Sequence, residues 1–267
     1  MIKIDGKAIS DQILDDLKKK EKPAANEMLA FVMVGSDPAS RSFVERKMTV
    51  TRDVLLIPTM LIALPAEIGE IGVVGVLKNL AVDENVKGIV VQLPLPEGIN
   101  RDRIIAEIPR EKDVDNLRGD GLVKSPAVMA VEEVIGRAGI GLANAKVAII
   151  GVGYLTGQPI FNYLTGKVKE VSLIDKNDDR SPIAEADIII SGVGKNGVIK
   201  TSEIKEGALV IDFGTSFSDE GRLAGDLLVD KEIAGVYTPT PGGTGPILIA
   251  KIFENYYSLR QQTKKPD

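Results

Sequence analysis

Three short stretches place polar side chains in patterns that could do chemistry, and the first is SFVERK. On a helix Phe43 and Lys47 stand four apart and share a face, so a ring and an ammonium would enter one pocket together. A lysine beside a planar apolar ligand can have a lowered pKa and move protons, although the same pair suits a solvated lysine behind a core phenylalanine. The second stretch is VQLPLP, in which Gln92 follows an apolar run and is held by Pro94 and Pro96; edge polarity is the plainer reading. The third is KDVDN. Asp113 and Asp115 alternate in an extended loop, so one can face a cleft while the other supports the loop, or both can be solvated.

A fourth stretch, VAIIGVGYLTGQP, reads as a phosphate turn: an apolar strand stops at Gly151, the chain turns through Gly153, and Gly157 precedes a helix whose N-terminus would face an anion. A tight turn with no ligand has the same signature. The next apolar run, VSLI, ends at Asp175, whose carboxylate suits a ribose 2′-hydroxyl and repels a 2′-phosphate unless it caps a turn. Lys176 beside it could pair with a phosphate, so the reading favours NAD over NADP without excluding the latter.

The chain has no Cys and no His, which removes disulfides, thiolate or imidazole metal sites, Ser-His-Asp triads and Cys-His pairs, and no metal is expected. Carboxylates, lysine, tyrosine and a borrowed cofactor remain, a set that fits hydride transfer, where a nicotinamide supplies the hard chemistry. A length of 267 residues, 44% hydrophobic and 27% charged, suggests two domains or one large one. The net charge of -5, with mixed signs scattered along the chain, gives no footprint for nucleic acid. VLLIPTMLIALP is broken by Pro58 and too short to cross a bilayer, and MIKIDGKAISDQ lacks a signal-peptide core, so no membrane association and a cytoplasmic location are expected.

Helix and strand patterns alternate around these residues. Helices are predicted over IDGKAISDQILDDLKKK, PASRSFVERKMTV, AEIGEIGVVGVLKNL, VMAVEEVIGRAG and PILIAKIFENYYSLRQQ. Strands are predicted over MLAFVMV, Met60 to Leu64, GIVVQL, VAII, VSLI, DIIIS, LVID and VYT; TKKPD is expected to fray. The expected fold is α/β: two α/β domains flanking a cleft, the second a Rossmann-type dinucleotide domain with a mainly parallel sheet. The division expected is 1–125 and 126–245, with a C-terminal helix at about 246–263 packing back on the first domain.

VGSDPASRSFVERK, GIVVQLPLPEGI, PREKDVDN, ADIIISGVGKNGVIK, ALVIDFGTS, AGD and TPTPGGTGP occur in an order and spacing that resembles the methylenetetrahydrofolate dehydrogenase/cyclohydrolase family over almost the whole chain. The resemblance implies oxidation of 5,10-methylenetetrahydrofolate by a nicotinamide, then hydrolysis of the methenyl product to 10-formyltetrahydrofolate, in one-carbon metabolism and purine biosynthesis. It implies Lys47 as the catalytic lysine, Gln92 as its orienting partner and Asp115 as the pterin anchor. Phe43, Leu93, Pro94, Pro241, Gly242 and Gly243 would line the folate pocket. Gly151, Val152, Gly153, Tyr154, Thr156, Gly157, Asp175, Lys176, Gly192, Val193, Gly194, Gly214 and Thr215 would bind the cofactor. Tetrahydrofolate derivatives and a second copy, as a homodimer, are the implied partners.

The chain departs from the family pattern at several points. Phe43 replaces a tyrosine whose hydroxyl could bond Lys47, Asn116 replaces a glycine, SPAVMA stands for a Pro-Cys-Thr-Pro segment, and Val152 and Gly153 replace Arg-Ser. Two rival readings are a two-domain dehydrogenase of another small substrate, such as a shikimate-type enzyme, and a folate- or nucleotide-binding protein without turnover. The first leaves VQLPLP and PGGTGP unexplained.

Overall fold

The computed structural model describes residues 1–218 and 220–262; the TKKPD tail lies outside them. The chain runs β1 (Ile2–Lys3), α1 (Gly6–Lys18), β2 (Met28–Val34), α2 (Pro38–Thr49), β3 (Thr59–Leu64), α3 (Gly69–Val82), β4 (Val86–Val91) and α4 (Arg101–Ala106). It continues with α5 (Pro126–Ala138), β5 (Lys146–Ile150), α6 (Gly157–Leu164), β6 (Glu170–Ile174), α7 (Ser181–Glu185), β7 (Ile188–Ser191), β8 (Ile199–Lys200) and β9 (Leu209–Asp212). The last elements are β10 (Ser216–Phe217), β11 (Leu223–Ala224), β12 (Leu227–Leu228), β13 (Val236–Tyr237) and α8 (Thr244–Gln262). These elements divide into two compact units: Met1–Asp11 with Pro126–Ile249, and Gln12–Ser125 with the residues from Ala250 onward.

The unit built on Gln12–Ser125 holds a parallel sheet in the order β3-β2-β4. Its central strand, MLAFVMV, is buried along nearly its whole length, which is why its sequence is a continuous apolar run; the edge strand β3 instead alternates, with Leu61 and Ala63 exposed. Phe253, Tyr256 and Tyr257 of α8 add to this core. Gly88 makes room for them, since a methyl there would meet Leu29, Val114 and the Tyr256 ring at 2.8 to 3.0 Å. Arg260, only 2% exposed, is satisfied by Glu27 Oε2 at 2.7 Å and the carbonyls of Glu21 and Lys22, as a buried charge must be.

The other unit carries a six-stranded parallel sheet in the order β1-β13-β9-β7-β5-β6. The chain steps from β5 outward to β6 and then back across β5 to β7. The crevice beyond the carboxyl ends of β5 and β7 is therefore the switch point at which doubly wound sheets bind ligands. Ala148, Ile150, Ile189 and Val210 from the strands pack with Ile174 and Ile183 to form its core.

Residues 1–11 group with this second half of the chain, whereas the expectation had placed 1–125 together. The cause is β1, whose Ile2 and Lys3 pair with Val236 and Tyr237; two residues give no periodic signal. The parallel pair β8/β12 and the antiparallel pair β10/β11 escaped prediction for the same reason. A π-helical segment, Val50–Leu55, carries α2 past the predicted helix end at Val50 into the first residues of VLLIPTMLIALP, and ends at Leu56 with φ 54°.

Candidate active site

Lys47 owes its position to α2, which follows the carboxyl end of β2. Asp37 caps that helix by accepting the Ser40 N–H at 2.7 Å, Pro38 occupies the first turn, and Lys47 projects from the last. Phe43 lies one turn earlier on the same face, half-buried, with the Arg46 guanidinium 5.9 Å from its ring centroid.

Gln92 follows β4, and its N–H donates to Val32 O at 2.8 Å, so the sheet itself fixes its backbone. Its side-chain amide donates to Leu93 O at 2.6 Å, leaving Oε1 to accept from Lys47 Nζ at 3.2 Å. Pro94 follows through a cis peptide bond. Residues 45 positions apart in sequence thus meet because each lies beyond the carboxyl end of a parallel strand.

The two aspartates of KDVDN divide their roles. Asp113, fully buried, lies beside Ile89 of β4 and accepts the N–H groups of Leu117 and Arg118, each at 3.0 Å. Asn116 takes φ 49° and its side chain accepts the Gly121 N–H at 2.8 Å, so the residue that replaces glycine adopts the left-handed conformation and adds a tie. Asn255 donates to Val114 O and Lys124 O, each at 2.8 Å, pinning both ends of the loop. Asp115 is left half-buried on that frame, coupled electrostatically to Lys47 without a direct ion pair.

Burial pulls the Lys47 ammonium below the ordinary lysine value, with Asp115 partly opposing it, and pushes the Asp115 carboxyl up, with Lys47 partly opposing that. The result is a lysine that releases its proton more readily than a surface lysine, held by an amide oxygen and facing a carboxyl. Phe43, Lys47, Gln92, Leu93, Pro94 and Asp115 all belong to one unit. Pro241, Gly242 and Gly243 belong to the other. There Gly242 takes φ 94° with open space where a side chain would lie, and a methyl on Gly243 would crowd Pro239 and Thr238.

The glycine turn packs closely against its neighbouring loop at the carboxyl end of β5. Gly151 takes φ 94° at the end of β5 and donates to Ile174 O at 2.9 Å. A methyl on Gly157 would overlap the carbonyl oxygen of Gly151, and one on Gly192 would stand 2.5 Å from Thr156 Oγ1. The loops Gly151–Gly153 and Gly192–Gly194 therefore pack against each other at the switch point, beside the N-terminus of α6. Val152 and Val193 are exposed there, Tyr154 is half-buried, and Thr215 O lies 3.5 Å from the Cβ position of Gly194. This cradle fits a dinucleotide.

Asp175 is exposed just past β6. Its Oδ1 accepts the Lys176 N–H and its own N–H donates to Asp178 Oδ2, each at 2.8 Å. Sequence reasoning missed Asp178, a second acid in the same turn. The Arg180 guanidinium is engaged by Val198 O at 2.7 Å and by Glu203. Three further buried groups were missed, Ser191, Asp212 and Asp226, which sit beneath the loops after β7 and β9. Asp226 closes the AGD motif, but nothing in the periodicity around it marks burial.

Asp113 and Asp212 are both pushed up to about 6, chiefly by burial. A carboxyl with a raised folded-state pKa stabilises the fold most below its unfolded value, and that contribution disappears as pH rises through about 6. Asp230, held down at about 2 by Ser202 and Thr201, acts in the opposite sense, and its contribution is lost only as pH falls below the ordinary carboxylate range. Acidification from about pH 8 to about pH 5 should therefore raise the unfolding free energy by about 1 kcal/mol for each of the two buried aspartates. Urea unfolding of the wild type, Asp113→Asn and Asp212→Asn at the two pH values measures this, and variants whose stability changes with pH as much as that of the wild type contradict the assignment.

Comparison with known proteins places this geometry in a family. Residues 4–115 match the model of the tetrahydrofolate dehydrogenase/cyclohydrolase catalytic domain, and residues 125–264 match that of its NAD(P)-binding domain. The bifunctional protein FolD of Staphylococcus saprophyticus is 32% identical over 269 residues, covering 94% of each chain. Among solved structures, the bifunctional FolD methylenetetrahydrofolate dehydrogenase/cyclohydrolase of Campylobacter jejuni superposes with a TM-score of 0.88 at 27% identity, over 97% of this chain and 98% of that one. The Trypanosoma brucei dehydrogenase-cyclohydrolase, solved with NADP and an inhibitor, gives 0.90 at 24% identity over 99% of both chains.

Proposed function

The chain belongs to the tetrahydrofolate dehydrogenase/cyclohydrolase family, and from that premise we propose that it oxidises 5,10-methylenetetrahydrofolate to the methenyl form with NAD and hydrolyses that product to 10-formyltetrahydrofolate. The observation that carries the reading is the 3.2 Å contact of Lys47 Nζ with Gln92 Oε1, electrostatically coupled to Asp115, the three residues to which the family resemblance assigns the catalysis.

A nicotinamide held beyond the carboxyl ends of β5 and β7 would supply the acceptor for the hydride of the methylene carbon. The turn Gly151–Gly157 and the α6 N-terminus would hold its pyrophosphate, Asp175 its adenosine ribose, and Gly192–Gly194 with Gly214 and Thr215 the remainder. In the hydrolytic step Lys47 acts as the base. Its lowered pKa increases the share of free amine, and a methenyl cation beside it disfavours the ammonium further. The amine takes a proton from water as the oxygen bonds the methenyl carbon. The new hydroxyl then loses its proton as the carbon–N5 bond breaks, and the lysine returns its proton to N5, for a net release of one proton. Gln92 fixes the direction of the amine throughout. Asp115 anchors the pterin, and Phe43 packs on it.

NAD is favoured by the two acids of the β6 turn, Asp175 and Asp178, by Val152 in place of a basic residue, and by the engagement of Arg180 elsewhere. Like charges about 4 Å apart cost about 1 kcal/mol in water and about 4 kcal/mol at an effective dielectric near 20, enough for tenfold or greater discrimination. The wild type should give the higher kcat/KM with NAD, and Asp175→Ser combined with Val152→Arg should move the preference toward NADP. A higher wild-type kcat/KM with NADP overturns the choice and makes Lys176 the phosphate partner.

A homodimer in the cytoplasm is part of the same reading and rests on the family resemblance; sedimentation of the purified protein tests the dimer. The reading as a whole is tested by absorbance, with methylenetetrahydrofolate and each nicotinamide supplied in turn. Folate-dependent reduction of the nicotinamide supports it, and binding of both ligands without turnover favours the binding-protein alternative.

A further inference from the structure

Beneath the loops that follow β7 and β9 lie two buried carboxylates, Asp226 at 0% exposure and Asp212 at 2%. Asp226 has no cationic partner among the described residues. Its Oδ2 accepts Ser191 Oγ at 2.6 Å and the Val193 N–H at 2.8 Å, while Oδ1 accepts the Lys195 N–H at 2.8 Å. Residues 191, 193 and 195 thus turn alternate donors toward one carboxylate, and the backbone of Gly192–Gly194 must curl around it.

Asp212 holds the neighbouring loop in the same way. Its Oδ1 accepts the Gly214 N–H at 2.7 Å and its Oδ2 the Leu227 N–H at 2.9 Å. The carboxylates interlock with glycines: a side chain on Gly214 would overlap the Asp226 carboxylate, and one on Gly225 would overlap that of Asp212 and crowd Thr240 Oγ1 at 2.9 Å. The curled loop also abuts the phosphate turn, since Gly192 O lies 3.2 Å from the Cβ position of Gly151.

A buried carboxylate without a cation is costly, and hydrogen bonds to neutral groups would satisfy three donors at lower cost. The cost falls at a place where loop shape matters, the floor of the cofactor cradle. We propose that Asp226 is a positioning residue for nicotinamide binding, setting the curl of Gly192–Gly194 and through it the seat of the phosphate turn; this rests on reading the cradle as a nicotinamide site.

Asp226→Asn is the direct test. The amide keeps the shape but presents an N–H to a backbone or hydroxyl donor, so the loop must shift. Fluorescence titration with reduced NAD should show at least tenfold weaker binding. The KM for NAD should rise by at least as much, with kcat at saturating NAD changed less, and methenyl hydrolysis measured without nicotinamide should be unchanged. Ser191→Ala, which removes one donor and leaves the carboxylate in place, should weaken binding about threefold and serves as the deciding variant if Asp226→Asn does not fold. Wild-type affinity in folded Asp226→Asn, or in Ser191→Ala where that variant decides, overturns the proposal. A wild type that binds neither nicotinamide overturns the cradle reading and this inference with it, whereas a wild type that binds while the variants bind equally well sinks the inference alone.

Discussion

Lys47→Met should reduce enzymatic hydrolysis of methenyltetrahydrofolate by at least 10²-fold, and up to about 10⁴-fold, the range supplied by a positioned proton-transfer group. No side chain can substitute: the chain has no histidine, and Gln92 and Asp115, the groups facing the amine, are respectively non-titrating and pushed toward protonation. Methionine matches the length and apolar stem of lysine, so α2 and the pocket wall stay in place. Lys47 bonds only Gln92 among the described residues, and thermal unfolding should move little. Hydride transfer should fall less, because it depends on placing the folate against the nicotinamide and needs no proton from Lys47. The measurement is the decay of methenyl absorbance with and without the variant. Undiminished turnover in a folded Lys47→Met protein removes the lysine from the mechanism.

Gly157→Ala should cost roughly 10²-fold or more in nicotinamide affinity, the scale expected of a misplacement near 1 Å at a site that relies on close backbone contact. The added methyl would overlap the carbonyl oxygen of Gly151 and lie 3.3 Å from Val152 Cα, and both are backbone atoms that no rotamer change can move aside. The turn must open. Gly153→Ala in the same turn is the comparison: a methyl there meets only Thr156 Oγ1 at 3.5 Å and Gly192 O at 3.9 Å, so it adds no backbone overlap, and its smaller loss reads only the methyl's contact with the cofactor itself. Titration of both variants with reduced NAD separates the cases, with hydrolysis in the absence of nicotinamide retained in each. Equal loss in the two would show that the turn tolerates no substitution for reasons other than backbone overlap, and no loss in Gly157→Ala would mean that the turn does not seat the cofactor.

The inner strands of both parallel sheets were legible because burial on both faces demands uninterrupted apolar runs, as in MLAFVMV and KVAII, whereas the two-residue edge strand β1 was not. Lys47, Gln92 and Asp115 were legible as separate weak signals, each just beyond such a run or in a charged loop. Their convergence follows from topology, since parallel strands put their carboxyl ends at one edge of the sheet. In the alternation alone the division of labour between Asp113 and Asp115 was not legible, because it says that one side chain turns inward but not which one; the bridge to Ile89 puts Asp113 inside. Asp226 was hidden for a related reason. Its three donors come from residues 31 to 35 positions earlier, and a carboxylate that takes backbone N–H groups leaves no pattern in sequence. Arg260 likewise reads as the polar face of a closing helix, yet it is buried against Glu27 across 233 residues.

In the function proposed, one chain couples oxidation of the methylene carbon to hydrolysis of the methenyl product. That coupling is tested most directly by supplying wild-type protein with 5,10-methylenetetrahydrofolate and NAD, and following reduced nicotinamide and 10-formyltetrahydrofolate in the same reaction. The two should appear one for one, with formyl product forming faster than methenyltetrahydrofolate hydrolyses in buffer alone. Reduced nicotinamide with methenyltetrahydrofolate decaying only at the buffer rate, or no folate-dependent reduction with either nicotinamide, would contradict it.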